Sequence, residues 1–137
     1  MKDSCAQEEI DKLIAGFFAA FDNRDRTPAL ASVLGCFADK AVIARSSKSD
    51  TQLYTAGEFA RPRIELLKGG SLVNFHEAET SATTHIFGGI AVRTSRYRKA
   101  GLLNGNVYAG AGTKCFQLVA LDSGWRIASL AWTDDEA

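Results

Sequence analysis

The sequence has 137 residues, in which 16 basic side chains balance 16 acidic ones. This length falls in the usual range for one domain and can bury a core without metals or disulfides, so we expect a single domain over residues 1–137. A neutral chain lacks the basic surface expected of a protein that binds nucleic acid or anionic membranes, and neither partner is predicted. The three cysteines form no CxxC pair, and the polar N-terminus lacks the apolar core of a signal peptide. We therefore expect a cytoplasmic protein with reduced thiols and no zinc site.

The first half of the chain carries helical patterns. Apolar residues at spacings of three and four predict a helix over residues 6–22. A short β-branched run at 41–44 predicts a strand, and the polar run at 45–52 predicts a loop. Thr55 and Glu58 match a capping box that begins another helix, which Pro62 should kink or restart.

The second half of the chain is rich in β-forming residues. Four runs, at 72–87, 90–98, 107–121 and 125–133, are separated by short breaks that contain glycine. Gly and Asp tolerate the backbone conformations of tight turns, so these breaks indicate hairpins. Helices followed by a meander predict an α+β domain in which the N-terminal helices pack on one face of an antiparallel sheet.

Two short motifs add a family resemblance to this pattern. Phe37-Ala-Asp-Lys-Ala-Val-Ile at the start of the first strand and Gly124-Trp-Arg-Ile at the start of the last strand resemble the nuclear transport factor 2-like (NTF2-like) superfamily. That superfamily includes ketosteroid isomerases and SnoaL-like polyketide cyclases, and the resemblance spans essentially the whole chain. It implies a cystatin-like cone, in which the helices pack on a strongly curved antiparallel sheet. Neither motif is catalytic, so the resemblance supports a fold and not a chemistry.

The ketosteroid isomerase branch can be compared residue by residue. The resemblance places Arg45 near the position of the carboxylate base, Phe17 near the catalytic tyrosine and Gln117 near the oxyanion-hole aspartate. An arginine stays protonated at neutral pH and cannot abstract a proton from carbon. Steroid isomerase activity is therefore not expected.

The resemblance also implies a chamber inside the cone. Strand alternation turns Ala91, Arg93, Ser95 and Tyr97 inward on one strand, Cys115, Gln117 and Val119 on the next, and Leu130 and Trp132 on the last. The predicted ligand site consists of Arg93, Tyr97, Gln117, Trp132, Leu130, Arg45, Phe17 and Ser95. Such a lining predicts a small, largely apolar molecule with a carboxylate, which Arg93 would bind with assistance from Gln117 and Tyr97.

Each of these residues also has a plainer interpretation. Arg93 is explained by an ion pair with Glu77 or Glu79, which is the favoured interpretation because buried charges are generally paired. Arg45 opens a polar segment and is explained by solvation. Tyr97 and Trp132 are explained as core aromatic residues with satisfied polar atoms.

Two function classes stay open on the sequence. The first is a small-molecule-binding protein of the cone fold, acting as a lyase, isomerase or hydrolase on an apolar acid. The second is a non-catalytic module for dimerisation or protein interaction. A homodimer through the exposed sheet face is predicted because Val92, Phe116, Leu118 and Ile127 are placed on the side opposite the chamber. No ligand cluster or phosphate loop indicates a metal or redox cofactor, and none is predicted.

Overall fold

The computed structural model describes residues 2–136, with side chains from residue 5 onward. The elements follow in the order α1 (Lys2–Ala19), α2 (Leu30–Leu34), β1 (Phe37–Ser46), β2 (Thr51–Thr55), α3 (Ala56–Lys68), β3 (Leu72–Phe87), β4 (Ile90–Leu103), β5 (Asn106–Leu121) and β6 (Gly124–Asp134). The predicted α+β class, with helices concentrated before a meander of long strands, is confirmed. None of the helices within residues 2–136 has the length and apolar character that a membrane crossing requires.

The six strands form one mixed sheet in the order β2-β1-β6-β5-β4-β3. Four neighbouring pairs are antiparallel, whereas β1 lies parallel to β6, so the prediction of a wholly antiparallel sheet is wrong at this pair. The predicted loop at 45–52 is also wrong in part, because β1 and β2 form a hairpin that leaves only residues 47–50 outside the strands. This hairpin is at the sheet edge, where alternating polar side chains face solvent and hide the strand pattern.

Helix α3 begins with the predicted capping box. The Thr55 side chain accepts a hydrogen bond from the Glu58 backbone, and the Glu58 side chain accepts one from the Thr55 backbone. The helix continues through Pro62 to Lys68, so the predicted restart at this proline does not occur. Asn23, just after α1, bonds to the backbone of Leu67, Leu72 and Phe75 and thereby ties α1 to α3 and β3.

The helices cover one face of the sheet, which we call the inner face. Phe17 of α1 lies at the centre of the core, with its ring 5.4 to 6.4 Å from the rings of five other phenylalanines. Aromatic pairs at these distances add to the stabilisation from burial. Register shifts in β3 and between β5 and β6 insert extra residues into the ladder, and such bulges bend a sheet around its core.

The uncovered side of the sheet, which we call the outer face, differs from the sequence prediction. Val92 is 41% exposed on this face, but Phe116, Leu118 and Ile127 are 1%, 1% and 0% exposed and lie in the core. The β4–β5 register pairs Ala91 with Leu118 and Arg93 with Phe116, which places all four on the inner face. A bulge in β6 between Ile127 and Ser129 then brings both Ile127 and Leu130 inward.

Candidate functional site

A cavity of about 290 Å³ opens between α1, α3 and the inner face of the sheet. Its volume is at the lower end of the range for small-molecule sites, roughly 300–1,000 Å³. The apolar and aromatic side chains of its wall are Phe17, Phe21, Phe59, Pro62, Leu66, Leu67, Leu72, Phe75, Tyr108 and Trp132. Its charged side chains are Arg45, Arg63, Glu77, Lys99, Lys114 and Asp134. An apolar wall with a few charged groups is typical of a site for an organic molecule with an ionic group.

Arg63 of α3 presents its guanidinium to a group of aromatic rings. The guanidinium carbon lies 4.4 Å from the centre of the Phe59 ring, 5.2 Å from that of Trp132 and 5.6 Å from that of Tyr54. Its Nη1 donates a 2.8 Å hydrogen bond to the Phe59 carbonyl. Among the residues whose side chains are described, no carboxylate reaches Arg63 at ion-pair distance. Burial lowers the pKa of this guanidinium, and its interaction with the Tyr54 hydroxyl offsets that effect only in part. The smaller effect of the Arg45 charge also lowers the pKa, although an arginine stays protonated in proteins.

Lys114 of β5 is the most deeply buried cation of the cavity wall. Its side chain is 6% exposed, and Nζ lies 3.4 Å from Glu77 Oε2. Nζ also lies 4.2 Å from the centre of the Tyr97 ring and 5.1 Å from that of Trp132. Burial lowers the pKa of the Lys114 amine, and the Glu77 carboxylate offsets this effect only in part.

Asp134, near the end of β6, connects several polar groups at the cavity. Its carboxylate accepts a hydrogen bond from the Tyr97 hydroxyl, lies 3.2 Å from Lys99 Nζ and lies 3.6 Å from Arg45 Nη2. Burial by itself would raise the pKa of Asp134, but the Tyr97 hydrogen bond and the Lys99 charge outweigh it and lower the pKa. The Tyr97 hydroxyl lies against Gly112, where any side chain would clash with it. The glycine thus allows Tyr97 to reach Asp134.

The charges of the cavity do not balance. Glu77 is paired with Lys114, and Asp134 is paired with Lys99 and Arg45. Both carboxylates of the wall are therefore already in contact with cations, while Arg63 has neither as a partner. The wall carries four cations against two carboxylates, so the cavity favours an anion.

Arg93 is about as deeply buried as Lys114, but it belongs to a separate cluster. Its Nε and Nη2 donate to the two oxygens of Glu79 at 2.9 and 2.7 Å, and its Nη1 donates to Asp11 and to Thr84. Ser95 donates a 2.5 Å hydrogen bond to the same Glu79 carboxylate. Burial by itself would lower the pKa of Arg93, but the hydrogen bonds that it donates to Glu79 and Asp11 outweigh this effect and raise the pKa. The ion pair with Glu79, which the sequence allowed as the plainer interpretation, is the one that forms.

The structure brings together only part of the predicted ligand site. Phe17, Arg45 and Trp132 line the cavity. Arg93, Ser95, Tyr97 and Leu130 face inward but do not line it, and Tyr97 reaches it only through Asp134. Gln117 lies on the outer face, where it accepts a hydrogen bond from Ser129.

The prediction of which β5 side chains point inward is wrong, because the alternating residues were assigned to the opposite faces of the strand. Cys115 and Gln117 are exposed, while Lys114, Phe116 and Leu118 are buried. The larger apolar pair, Phe116 and Leu118, was the sequence signal that could have identified the inner face. Arg63 was missed as well, although it follows Phe59 by four residues and therefore lies on the same side of α3.

Within the part of the chain that the structure describes, no group of three or more His, Cys, Asp or Glu is arranged to hold a metal ion.

The fold of this chain resembles that of several solved structures. No protein-family model matches the sequence, and no curated protein matches it. Solved structures do match. An NTF2-like superfamily protein from Salmonella enterica aligns over 98% of this chain and 94% of its own, with a TM-score of 0.79 at 14% identity. An NTF2-like protein with a cystatin-like fold from Novosphingobium aromaticivorans aligns over 99% of this chain and 86% of its own, with a TM-score of 0.75 at 15% identity.

A third structure carries a functional description. A candidate dehydratase of the NTF2-like family from Streptomyces avermitilis aligns over 100% of both chains, with a TM-score of 0.75 at 14% identity. Identities this low establish the architecture and leave the chemistry to be argued from the site. The fold implied by the sequence resemblance is confirmed: this chain has the NTF2-like, cystatin-like fold.

Proposed function

We propose that the protein binds a small organic anion in the cavity, with Arg63 as the group that binds its carboxylate. The observation that carries this proposal is the guanidinium of Arg63, which faces aromatic rings without a carboxylate partner among the described side chains. Arg63 is partly buried. A charge partly withdrawn from water without a counter-ion is costly, and an anionic ligand would reduce that cost. A planar guanidinium also matches a carboxylate through two parallel hydrogen bonds.

The wall of the cavity supports a ligand with a flat apolar body. Phe59 and Trp132 pack edge to face, and Tyr54 stacks on Trp132, so the carboxylate site is next to aromatic surfaces. The volume of about 290 Å³ suits a compact molecule such as a one-ring acid. This proposal keeps the ligand class predicted from the sequence but transfers the carboxylate site from Arg93 to Arg63.

The polar pairs of the cavity support a reaction of the lyase, isomerase or hydrolase class. Glu77 with Lys114, and Asp134 with Tyr97, provide carboxylates next to groups that donate protons. Such pairs are the usual means of moving a proton during catalysis. The candidate dehydratase with the same fold is compatible with this class, although fold likeness alone carries no chemistry.

Binding of matched acids and amides tests the proposal. Titration calorimetry with benzoate and benzamide should show that the wild-type protein binds the acid more tightly. Arg63→Met should weaken acid binding by roughly 10- to 150-fold, the equivalent of one hydrogen bond to a charged group, and leave amide binding unchanged. Arg61→Met is the matched control, because Arg61 is exposed on the same helix and does not line the cavity. Equal affinity for acid and amide, or an unchanged affinity in Arg63→Met, would contradict the proposal.

The outer face supports a second proposal, a homodimer, which is also the basis of the alternative function as an interaction module. Two adjacent rows of side chains cross β1, β6, β5 and β4, namely Val42, Ser129, Gln117 and Val92, and Ala44, Ala131, Cys115 and Thr94. None of these side chains is charged, and Val42 and Val92 are 51% and 41% exposed. Uncharged exposed patches of this kind are common at interfaces.

Sedimentation distinguishes this assembly from a monomer. The wild-type protein should sediment as a dimer at micromolar concentration, and Val92→Lys should shift it to a monomer. Val107→Lys is the control, because Val107 is 83% exposed at the β4–β5 turn, away from the two rows. A wild-type monomer at micromolar concentration would overturn the proposal.

A further inference from the structure

Lys114 is an amine held inside the wall of the cavity. It pairs across the sheet with Ser95 of β4 and Trp132 of β6, which are both buried on the inner face. Its side chain is 6% exposed and lines the cavity. A lysine is rarely buried to this extent unless it has a full set of partners.

The partners of Lys114 are few for so deep a position. Glu77 Oε2 at 3.4 Å is its carboxylate contact, and the faces of Tyr97 and Trp132 supply the rest of its surroundings. Burial lowers the pKa of the amine, and the smaller effect of the Lys99 charge lowers it further, while the Glu77 carboxylate opposes both without cancelling them. These two factors increase the neutral fraction of a lysine and are known to make it a nucleophile.

We propose that Lys114 forms an imine with the aldehyde or ketone carbonyl of a carboxylate-bearing ligand in the cavity. This inference rests on the proposed function, because Arg63 binds the carboxylate of that ligand. The Arg63 guanidinium carbon and Lys114 Nζ lie 5.2 and 5.1 Å from the centre of the same Trp132 ring. Arg63, Lys114 and Trp132 also line the same cavity. A ligand in that cavity can meet the guanidinium with its carboxylate and the amine with its carbonyl carbon.

The step balances without an oxidant or reductant. Glu77 accepts a proton from the Lys114 ammonium, and the neutral nitrogen attacks the carbonyl carbon while the carbonyl electron pair moves to oxygen. The nitrogen, now positively charged, passes a proton to this oxygen, which gives a neutral carbinolamine. Glu77 then returns its proton to the hydroxyl, and water leaves as the carbon–oxygen bond breaks and the nitrogen electron pair forms the protonated imine. The product is one imine and one water for each amine and carbonyl consumed, and the Glu77 carboxylate stabilises the protonated imine.

Reductive trapping tests the proposal on the intact chain. The protein is incubated with 4-carboxybenzaldehyde at neutral pH, treated with cyanoborohydride and mapped by peptide mass spectrometry. Lys114 should carry more adduct than any exposed lysine, because its lowered pKa increases the neutral fraction of the amine and because Arg63 binds the carboxylate of the aldehyde in the same cavity. Equal labelling of all lysines, or labelling of exposed lysines alone, would overturn the proposal.

Two variants separate the role of Lys114 from simple accessibility. Lys68→Met removes an exposed lysine at the end of α3 and should leave the Lys114 adduct unchanged. Glu77→Gln keeps the amine but removes its carboxylate contact, so the pH profile of labelling should shift to lower pH. An unshifted profile in Glu77→Gln would contradict the assigned environment of the amine. Because Glu77→Gln keeps Lys114, this test does not depend on whether a variant without Lys114 folds.

Neutral benzaldehyde distinguishes failure of this inference from failure of the proposed function. Benzoate binding with labelling confined to exposed lysines would overturn the imine and leave acid binding at Arg63 intact. A benzaldehyde adduct on Lys114 without any benzoate binding would overturn the proposed function and the carboxylate part of this inference. With both correct, Arg63→Met should reduce trapping of 4-carboxybenzaldehyde by roughly tenfold or more, and this loss should exceed any change in trapping of benzaldehyde.

Discussion

Two arginines lie against the inner side of this fold, Arg93 buried and Arg63 partly buried, and their surroundings differ. Arg93 of β4 has both oxygens of Glu79, one of Asp11 and the hydroxyl of Thr84 as acceptors. Arg63 of α3 has one backbone carbonyl and three aromatic rings. The first arginine has protein partners for its charge, and the second faces a cavity. Burial of a charged residue therefore does not identify a binding site until its counter-ions have been located.

The largest effect should come from removing the paired arginine. Arg93→Met leaves the Glu79 carboxylate without its main cation, and we expect it to lower the free energy of unfolding by about 3 kcal/mol. This loss is at the low end of the range for breaking a buried ion pair, because the Glu79 side chain is still 22% exposed. Urea denaturation at pH 7 measures the change. Arg96→Met is the control on the outer side of the same strand, where its pair with Asp135 is exposed and little stability should be lost. Equal stability of Arg93→Met and wild type would show that the cluster is not structural.

A smaller effect should come from Asp134, the carboxylate that already partners two cations of the cavity. Its lowered pKa means that its contribution to stability is complete above the pKa of the unfolded chain, about 3.9, and is lost as the pH falls through the lower folded pKa. We expect Asp134→Asn to lower the free energy of unfolding at pH 7 by about 1 kcal/mol, because the group is partly exposed. The difference from wild type should shrink toward pH 2.

Urea denaturation at pH 7, 4 and 2 measures the Asp134 effect. Asp39→Asn is the control, because Asp39 is exposed on β1. Some acid sensitivity should persist in Asp134→Asn, since Asp11 also has a lowered pKa: the Arg93 hydrogen bond outweighs the opposing effect of burial. A difference between Asp134→Asn and wild type that grows on acidification would contradict the assigned sign.

Much of the fold was predictable because local signals agree with it. The apolar stripe of α1, the capping box at Thr55 and the glycine-containing turns between the long strands each specify an element without long-range information. The β1–β2 hairpin was not predictable in the same way, because β2 is the edge strand and carries polar residues. The parallel pairing of β1 with β6 depends on how distant segments meet, which no local pattern encodes.

The candidate site was less predictable because single-residue bulges change which side chains share a face. Strict alternation along β3 separates Glu79 from Thr84, yet both bond to Arg93 because the register shifts between Glu79 and Ser81. A similar shift brings Ile127 and Leu130 to the same side of β6. In a sequence with period two, one extra residue exchanges the two faces of everything that follows.

The smallest effect on stability should come from Arg63, and it completes the contrast with Arg93. Arg63→Met replaces a partly buried guanidinium, which has no carboxylate partner among the described side chains, with an apolar side chain of similar length. We therefore expect the free energy of unfolding to change by less than about 0.5 kcal/mol or to rise. Urea denaturation of Arg63→Met beside Arg93→Met measures this difference under identical conditions.

The response to ligand should differ between the two variants in the opposite sense, with Arg63→Met more affected than Arg93→Met. Saturating benzoate should stabilise wild-type protein by mass action, and the increment at one hundred times the dissociation constant is about 2.7 kcal/mol. Arg93→Met should retain a comparable increment, because its cluster lies outside the cavity lining. Arg63→Met should lose most of it at the same concentration. A loss of several kcal/mol of unfolding free energy in Arg63→Met without ligand would instead indicate that Arg63 has a structural partner. If benzoate stabilised Arg63→Met as much as wild type, benzoate would bind at a site that does not include Arg63.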